Sequence, residues 1–334
     1  MKIVVDAMGG DYAPKAVVDG VIEAKRAFDV EIILVGKSDA IKKELSRYKK
    51  EGGLIEIVDA PEIIEMHEPA AASVRKKRNS SIVTGIELLK ESKADAFFSA
   101  GNTGAVVCAA TLGLRLLSGI ERPGISLVVP TLKDLALIID VGANIDPKPV
   151  HLLQYAIMAD AYLRDIFKKT NPRIGLLNIG EEESKGTEFL KESFALMEAA
   201  DFNFIGNVEA KDIFSGNCDA AVCDGFVGNI SLKVMEAASE VIGEFLKREL
   251  KANPLAKIGL IFVKSSLMRF KKKLDYSEYG GAPLLGVDGV VIIGHGRSNA
   301  KAIKNAIRVA KEEVERNVNE KIVQRINKLG SKNE

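Results

Sequence analysis

Six asparagines lie in or beside glycine-containing loops: Asn102, Asn144, Asn178, Asn207, Asn229 and Asn299. Such an amide can simply help to make a turn. It can also stand beside backbone N–H groups as a neutral donor, the equipment that holds an anion or a developing oxyanion. The stretch Cys223-Asp224-Gly225-Phe226-Val227-Gly228-Asn229-Ile230-Ser231 suits the second purpose best. It follows Ala220 to Val222, which reads as a short buried strand, and precedes Leu232 to Leu250, which has helical spacing. A strand, a tight loop and a helix start gather free N–H groups and an amide in one small volume.

More familiar catalytic machinery is missing. His67, His151 and His295 form no H-E-x-x-H pair, and none has an Asp five residues on, as a His-x4-Asp signature requires. Gly36-Lys37-Ser38 has the end of a phosphate-binding loop, but Glu31 stands where its first Gly belongs. Gly9-Gly10 is not a dinucleotide fingerprint, and there is no G-x-S-x-G elbow. Cys108, Cys218 and Cys223 are an odd set without metal-type spacing, which suits a reduced, cytoplasmic chain. No metal and no cofactor are expected. Chemistry falls to positioned neutral and cationic donors.

The elements that must position these loops alternate. Strands are predicted over Lys2 to Val5, Glu31 to Val35, Leu54 to Val58, Ala94 to Phe98, Ile125 to Val129, Leu135 to Ile139, Arg173 to Leu177 and Asn203 to Ile205, the fifth and sixth paired around Thr131 to Asp134. Helices fall between most of them, one of them capped by Ser80 or Ser81. A final apolar segment, Leu284 to Ile293, leads through Gly294-His295-Gly296-Arg297-Ser298-Asn299 into a C-terminal helix. The pattern implies a three-layer α/β/α fold around a mostly parallel sheet. In such sheets ligands bind beyond the carboxyl ends of the strands, so the loops at Gly9, Gly101, Gly142, Gly180 and Gly225 should converge on one edge. Residues 1–320 read as a single domain containing a basic, amphipathic segment at 248–276. Residues 321–334 read as a polar tail.

With 334 residues, 47% hydrophobic content and net charge +1, the chain is a folded globule with no global attraction to nucleic acid. The apolar start is too short for a signal peptide, and the most apolar long region, Gly124 to Ala143, is broken by Lys133-Asp134.

Six motifs, in order along the chain, carry a family resemblance. They are Asp6-Ala7-Met8-Gly9-Gly10-Asp11, Ser99-Ala100-Gly101-Asn102-Thr103-Gly104-Ala105, Asp140-Val141-Gly142-Ala143-Asn144, Asn178-Ile179-Gly180-Glu181-Glu182, Cys223 to Asn229 and Gly280-Gly281-Ala282-Pro283-Leu284-Leu285-Gly286. Together they resemble the PlsX family of phosphate acyltransferases of bacterial phospholipid synthesis, from residue 1 to about 315. The resemblance implies acyl transfer from acyl–acyl-carrier protein to inorganic phosphate. It also implies a homodimer, a fold like that of isocitrate and isopropylmalate dehydrogenases, and peripheral association with an anionic membrane. A membrane glycerol-3-phosphate acyltransferase would take the acyl phosphate onward to phosphatidic acid. Donation from acyl-CoA and a nicotinamide-dependent dehydrogenase of the same fold are the alternatives, and a non-catalytic membrane scaffold is a third.

With that resemblance, Lys185 is assigned electrostatic stabilisation of phosphate and oxyanion, although Glu181-Glu182-Glu183 could instead pair with it. Asn229 is assigned donation to the phosphate or thioester carbonyl, with a plain helix cap as the alternative. Asn102, Thr103 and Gly104 would supply further anion-binding donors. Asp140 and Asn144 would orient groups or form the turn. His295 would move protons, bind phosphate or only shape its loop. Cys223 invites an acyl-enzyme but also suits the end of a buried strand. Leu260, Ile261 and Phe262 would touch the membrane. Arg75-Lys76-Lys77-Arg78 and the 248–273 region both offer basic faces to an acidic carrier protein.

Overall fold

The computed structural model describes residues 1–48, 51–252, 262–270 and 278–330. Its first strands and helices are β1 (Lys2–Asp6), α1 (Lys15–Ala27), β2 (Glu31–Gly36), α2 (Ser38–Leu45), β3 (Glu56–Asp59), α3 (Ala70–Lys76), α4 (Ser81–Lys90), β4 (Ala96–Ser99) and α5 (Thr103–Leu114). The hairpin β5 (Gly124–Pro130) and β6 (Leu135–Ile139) follows. Then come α6 (Pro149–Asp165), β7 (Ile174–Leu177), α7 (Glu188–Glu198), β8 (Phe204–Val208), α8 (Ala210–Ser215), β9 (Ala220–Val222) and α9 (Gly225–Ala252). Residues 262–270 form α10. The chain closes with β10 (Ala282–Leu285), β11 (Val290–Ile293), α11 (Ala300–Glu315) and α12 (Val318–Gly330).

The eleven strands among the described residues share one sheet, in the order β3-β2-β1-β4-β11-β10-β5-β6-β9-β7-β8. Alternate strand residues supply the two faces, as the period of two requires. Val4, Phe97, Val291, Leu284, Ile138 and Ala221 face one helical layer. Ile3, Phe98 and Ile292 face α1 and α11 on the other side, where Leu137, Ile139 and Val222 face α6 and α12. The expected three-layer α/β/α architecture is present.

Among the described residues, three neighbouring pairs are antiparallel: β11 with β10, β10 with β5 and β5 with β6. Three reversals are an odd number. The parallel wing β6-β9-β7-β8 therefore runs opposite to the parallel wing β3-β2-β1-β4-β11. This overturns the expectation that all the glycine loops meet on one edge. Those after β1, β4 and β11 lie at one edge, and those after β6, β9 and β7 lie at the other. Helical and strand periodicity locate elements but carry no direction, so the reversal was invisible in the sequence.

Local differences have local causes. Leu284 to Ile293 is two strands, because Gly286, at a φ of +94°, turns the chain between them. The loop carrying the basic run is partly helical, as α3, and Lys77 follows it, bonded to the Ile63 carbonyl and paired with Glu68. The expected polar tail from residue 321 is also corrected: α12 buries Ile322 and packs Val323 and Ile326 on the core. Arg325 reaches the buried Asp160 of α6. Residues 331–334 lie outside the described residues. So do Leu260, Ile261 and most of 248–276 beyond α9 and α10. No described helix is long and apolar enough to cross a membrane.

Candidate functional site

Each wing builds its loops on a buried aspartate. Asp140 follows β6, and its carboxylate accepts four backbone N–H bonds: Ile125, Gly142 and Ala143 on Oδ1 at 2.9–3.0 Å, and Asn144 on Oδ2 at 2.7 Å. Burial drives its pKa up, and the four N–H groups oppose that. All its oxygens face the protein, so Asp140 shapes the 140–144 loop. Asp6 does the same after β1, accepting from Met8 N at 2.9 Å and Ser99 Oγ at 2.7 Å.

The second wing's loops press against the start of α9. A Cβ on Gly228 would stand 1.9 Å from the Asp140 carbonyl oxygen, and one on Gly225 would stand 2.6 Å from Asp140 Oδ2. Only glycine permits this approach. Asp224 caps the helix, its Oδ1 accepting from Phe226 N at 2.9 Å and Val227 N at 2.8 Å. Asn229 sits a turn further in, against Gly142. It is exposed, and its amide makes no hydrogen bond among the described residues. The capping alternative therefore falls to Asp224, a residue whose placement just before the helix could have marked it.

Lys185 comes from the loop after β7, next to β9 in the sheet. Asn178 Nδ2 holds the Lys185 carbonyl at 3.2 Å, and Asn207 Nδ2 holds that of Glu182 at 2.9 Å. These two asparagines are loop formers. Glu181 pairs with Lys211. The Lys185 side chain is exposed, and its ammonium has no carboxylate partner among the described residues. Asn144 lies in the Asp140 loop, its Nδ2 3.5 Å from the Tyr155 hydroxyl.

In the first wing, Asn102 is buried. Its Oδ1 caps α5 by accepting from Ala105 N at 3.0 Å. Its Nδ2 lies 3.1–3.2 Å from the carbonyls of Glu65, Met66 and Glu68. The side chain is thus fully engaged, and what this unit presents outward is the α5 start at Thr103 and exposed Gly104. Asn299 likewise caps α11.

His295 follows β11. Its Nδ1 accepts from Arg297 N at 3.1 Å, which leaves the ring proton on Nε2, 3.4 Å from Glu236 of α9. Arg297 reaches Glu240 of the same helix at 2.7 Å. α9 therefore starts at one sheet edge and binds a loop of the other. Glu236 and Glu240 carried no sequence signal, because their partners lie 57 to 59 residues away.

Cys223 is buried, with Sγ 3.4 Å from the Asp140 carbonyl oxygen. Burial holds its pKa well above the ordinary thiol value, with the neighbouring Asp140 and Asp224 adding to the shift. A neutral, enclosed thiol is a poor nucleophile.

Residues 1–321 match the family model described as fatty acid synthesis protein. Two curated relatives are named phosphate acyltransferase. The one from Dictyoglomus turgidum is 51% identical over 98% of both chains. The one from Pelotomaculum thermopropionicum is 50% identical over 96% of this chain and 94% of its own. Among solved structures, a phosphotransacetylase from Streptococcus pyogenes superposes with a TM-score of 0.61 at 19% identity, covering 94% of each chain. A 4-hydroxythreonine-4-phosphate dehydrogenase from Klebsiella pneumoniae gives 0.54 at 13%, covering 94% of this chain and 97% of that one. At such identities the structural likeness concerns the fold alone.

Proposed function

Because this chain belongs to the phosphate acyltransferase family, we propose that it moves a fatty acyl group from acyl–acyl-carrier protein to inorganic phosphate. The acyl phosphate then feeds phosphatidic acid and phospholipid synthesis. The observation that carries this reading is the pair Lys185 and Asn229. Lys185 stands on the loop after β7 and Asn229 in the first turns of α9, after the adjacent strand β9; both are exposed, and neither side chain has a protein partner among the described residues.

Phosphate is already an anionic nucleophile at neutral pH. Its oxygen attacks the thioester carbon, a C–O bond forms, and a tetrahedral oxyanion results. Collapse breaks the C–S bond and releases a thiolate, an easy leaving group because thiols ionise near pH 8.5. The task is to hold two anions together and stabilise a third. Lys185 supplies charge, and Asn229 donates to the carbonyl oxygen as it becomes an oxyanion. The N–H groups at Thr103 and Gly104, where α5 starts on the opposite sheet edge, are a separate pair of anion-binding donors in the other wing. Asp140 fixes the loop that carries Asn144 and abuts Asn229, and His295 holds the β11 loop to α9. The buried, protonated Cys223 supports direct attack over an acyl-enzyme.

Residues 1–320 act as one catalytic unit in this reading, within a homodimer. Val227, Ile230, Val234, Val241 and Phe245 form an exposed apolar stripe along α9, which supports a second copy there. Phe262 of α10 is 83% exposed, which suits contact with an anionic membrane surface. The test mixes the protein with phosphate and either acyl–acyl-carrier protein or acyl-CoA, trapping acyl phosphate with hydroxylamine. Faster trapping from the carrier-protein thioester is expected. No acyl phosphate from either donor would sink the reading, and a preference for acyl-CoA would replace the donor.

A further inference from the structure

We propose that Lys233 is a second cation for the phosphate substrate, an inference that rests on the acyl-transfer reading above. It comes from one face of α9. Asn229, Lys233, Glu236 and Glu240 are spaced by four, three and four residues, which puts all of them on one side of an α-helix.

Three members of this row have known neighbours. Asn229 packs on Gly142 of the Asp140 loop. Glu236 faces His295 at 3.4 Å, and Glu240 faces Arg297 at 2.7 Å. The row thus runs from the loops of one sheet edge to a loop of the other. Lys233 stands between them, one turn or about 6 Å along the axis from Asn229.

Lys233 is exposed, and among the described residues it has no carboxylate within ion-pairing distance. The glutamates that follow it on the same face are directed to His295 and Arg297. Its charge is therefore not neutralised on its own helix. Phosphate at neutral pH carries between one and two negative charges, and Lys185 alone offsets one. A second lysine beside Asn229 completes the balance before the thioester arrives. Because a lysine stem is long and flexible, Lys233 can follow the phosphate as it moves onto the carbonyl carbon.

Steady-state kinetics of Lys233→Met test this. The KM for phosphate should rise at least tenfold, with the KM for the acyl donor and the melting temperature unchanged. Lys233→Arg should restore most of the phosphate affinity. A phosphate KM within twofold of wild type, or a change confined to the donor KM, would overturn the proposal. A second measurement needs no turnover: mass spectrometry after brief acetylation, with and without inorganic phosphate. Lys233 and Lys185 should both be protected by phosphate, and unprotected Lys233 would also overturn the assignment. If wild-type protein makes no acyl phosphate while phosphate still protects both lysines, the acyl-transfer reading fails and the anion site stands.

Discussion

Two strand–loop–helix units of this molecule look alike in sequence and differ in what they offer. β4 leads through Gly101-Asn102 into α5, and β9 leads through Gly225 to Asn229 in α9. Both loops lie against a buried aspartate, Asp6 or Asp140, across a glycine that admits no Cβ. In the first unit the asparagine caps the helix and ties three carbonyls. In the second, Asp224 does the capping and Asn229 is left with its donors unengaged. The lesson is about division of labour. An asparagine becomes available to a substrate when another residue has taken over its structural task.

The comparison can be attacked first at the contact shared by the second unit. Gly228→Ala would force a methyl group into the Asp140 carbonyl, at 1.9 Å. The backbone on both sides must shift, so little folded, soluble protein is expected on purification. A well-behaved Gly228→Ala protein would show that the approach of α9 to Asp140 is looser than described.

The next pair of variants separates the two asparagines. Asn229→Ala should lower kcat by about 10²–10³, the usual cost of an oxyanion donor, with a melting temperature close to wild type. Asn102→Ala removes a cap and the amide that ties the Met66 and Glu68 carbonyls, while Glu65 keeps its bond from Glu68 N at 3.1 Å, a loss of about 2–4 kcal/mol in chemical denaturation. Its activity per folded molecule should fall far less. Matching profiles for the two variants would dissolve the distinction.

The roots of the units differ too. Asp95, before β4, accepts only from Lys2 N at 2.7 Å in the described structure. Asp219, before β9, accepts from Arg173 and Lys169 at 2.8–3.0 Å. Its burial raises the pKa, but the bonds from Arg173 and then Lys169 outweigh that and lower it from 3.8 to about 2. A depressed folded-state pKa stabilises the protein above the unfolded value and loses that stabilisation as pH falls through the folded one. Asp219→Asn should therefore cost on the order of 2 kcal/mol at pH 7. The gap from wild type in urea titrations should narrow between pH 4 and pH 2. A gap independent of pH would assign the loss to packing.

The smallest effect is expected at Cys223. Serine in its place keeps a hydrogen bond to the Asp140 carbonyl, and turnover should stay within about threefold, since a neutral buried thiol is not the nucleophile. Abolished turnover with intact folding, together with near-normal Lys185→Ala and Asn229→Ala enzymes, would instead establish an acyl-enzyme.

The alternation of strands and helices was legible from apolar runs and caps, and Ser80 caps α4 as its position predicts. The motif loops were legible as loops. The β5–β6 pairing around Thr131 to Asp134 was legible too; what sequence could not convey was the β10–β11 reversal inside one apolar segment, or the order of strands that turns one wing against the other. Nor could it show which asparagine is engaged, because the partners of Asn102 lie 34 to 37 residues away. α12 escaped because its polar residues outnumber the few apolar ones that anchor it, Ile322 and Ile326 among them.

The placement of β11 between β4 and β10 also bears on synthesis. β4 pairs Ala96–Ser99 with Val290–Ile293, so one edge of the amino-terminal wing stays open until nearly nine-tenths of the chain has left the ribosome. The helix that covers that wing, α11, arrives later still and packs on α1. An amino-terminal fragment would carry a bare strand edge and an uncovered apolar face, the combination most prone to aggregate. Loss of the last fifty residues is therefore damage to the beginning of the protein, and premature termination late in the message should yield insoluble product.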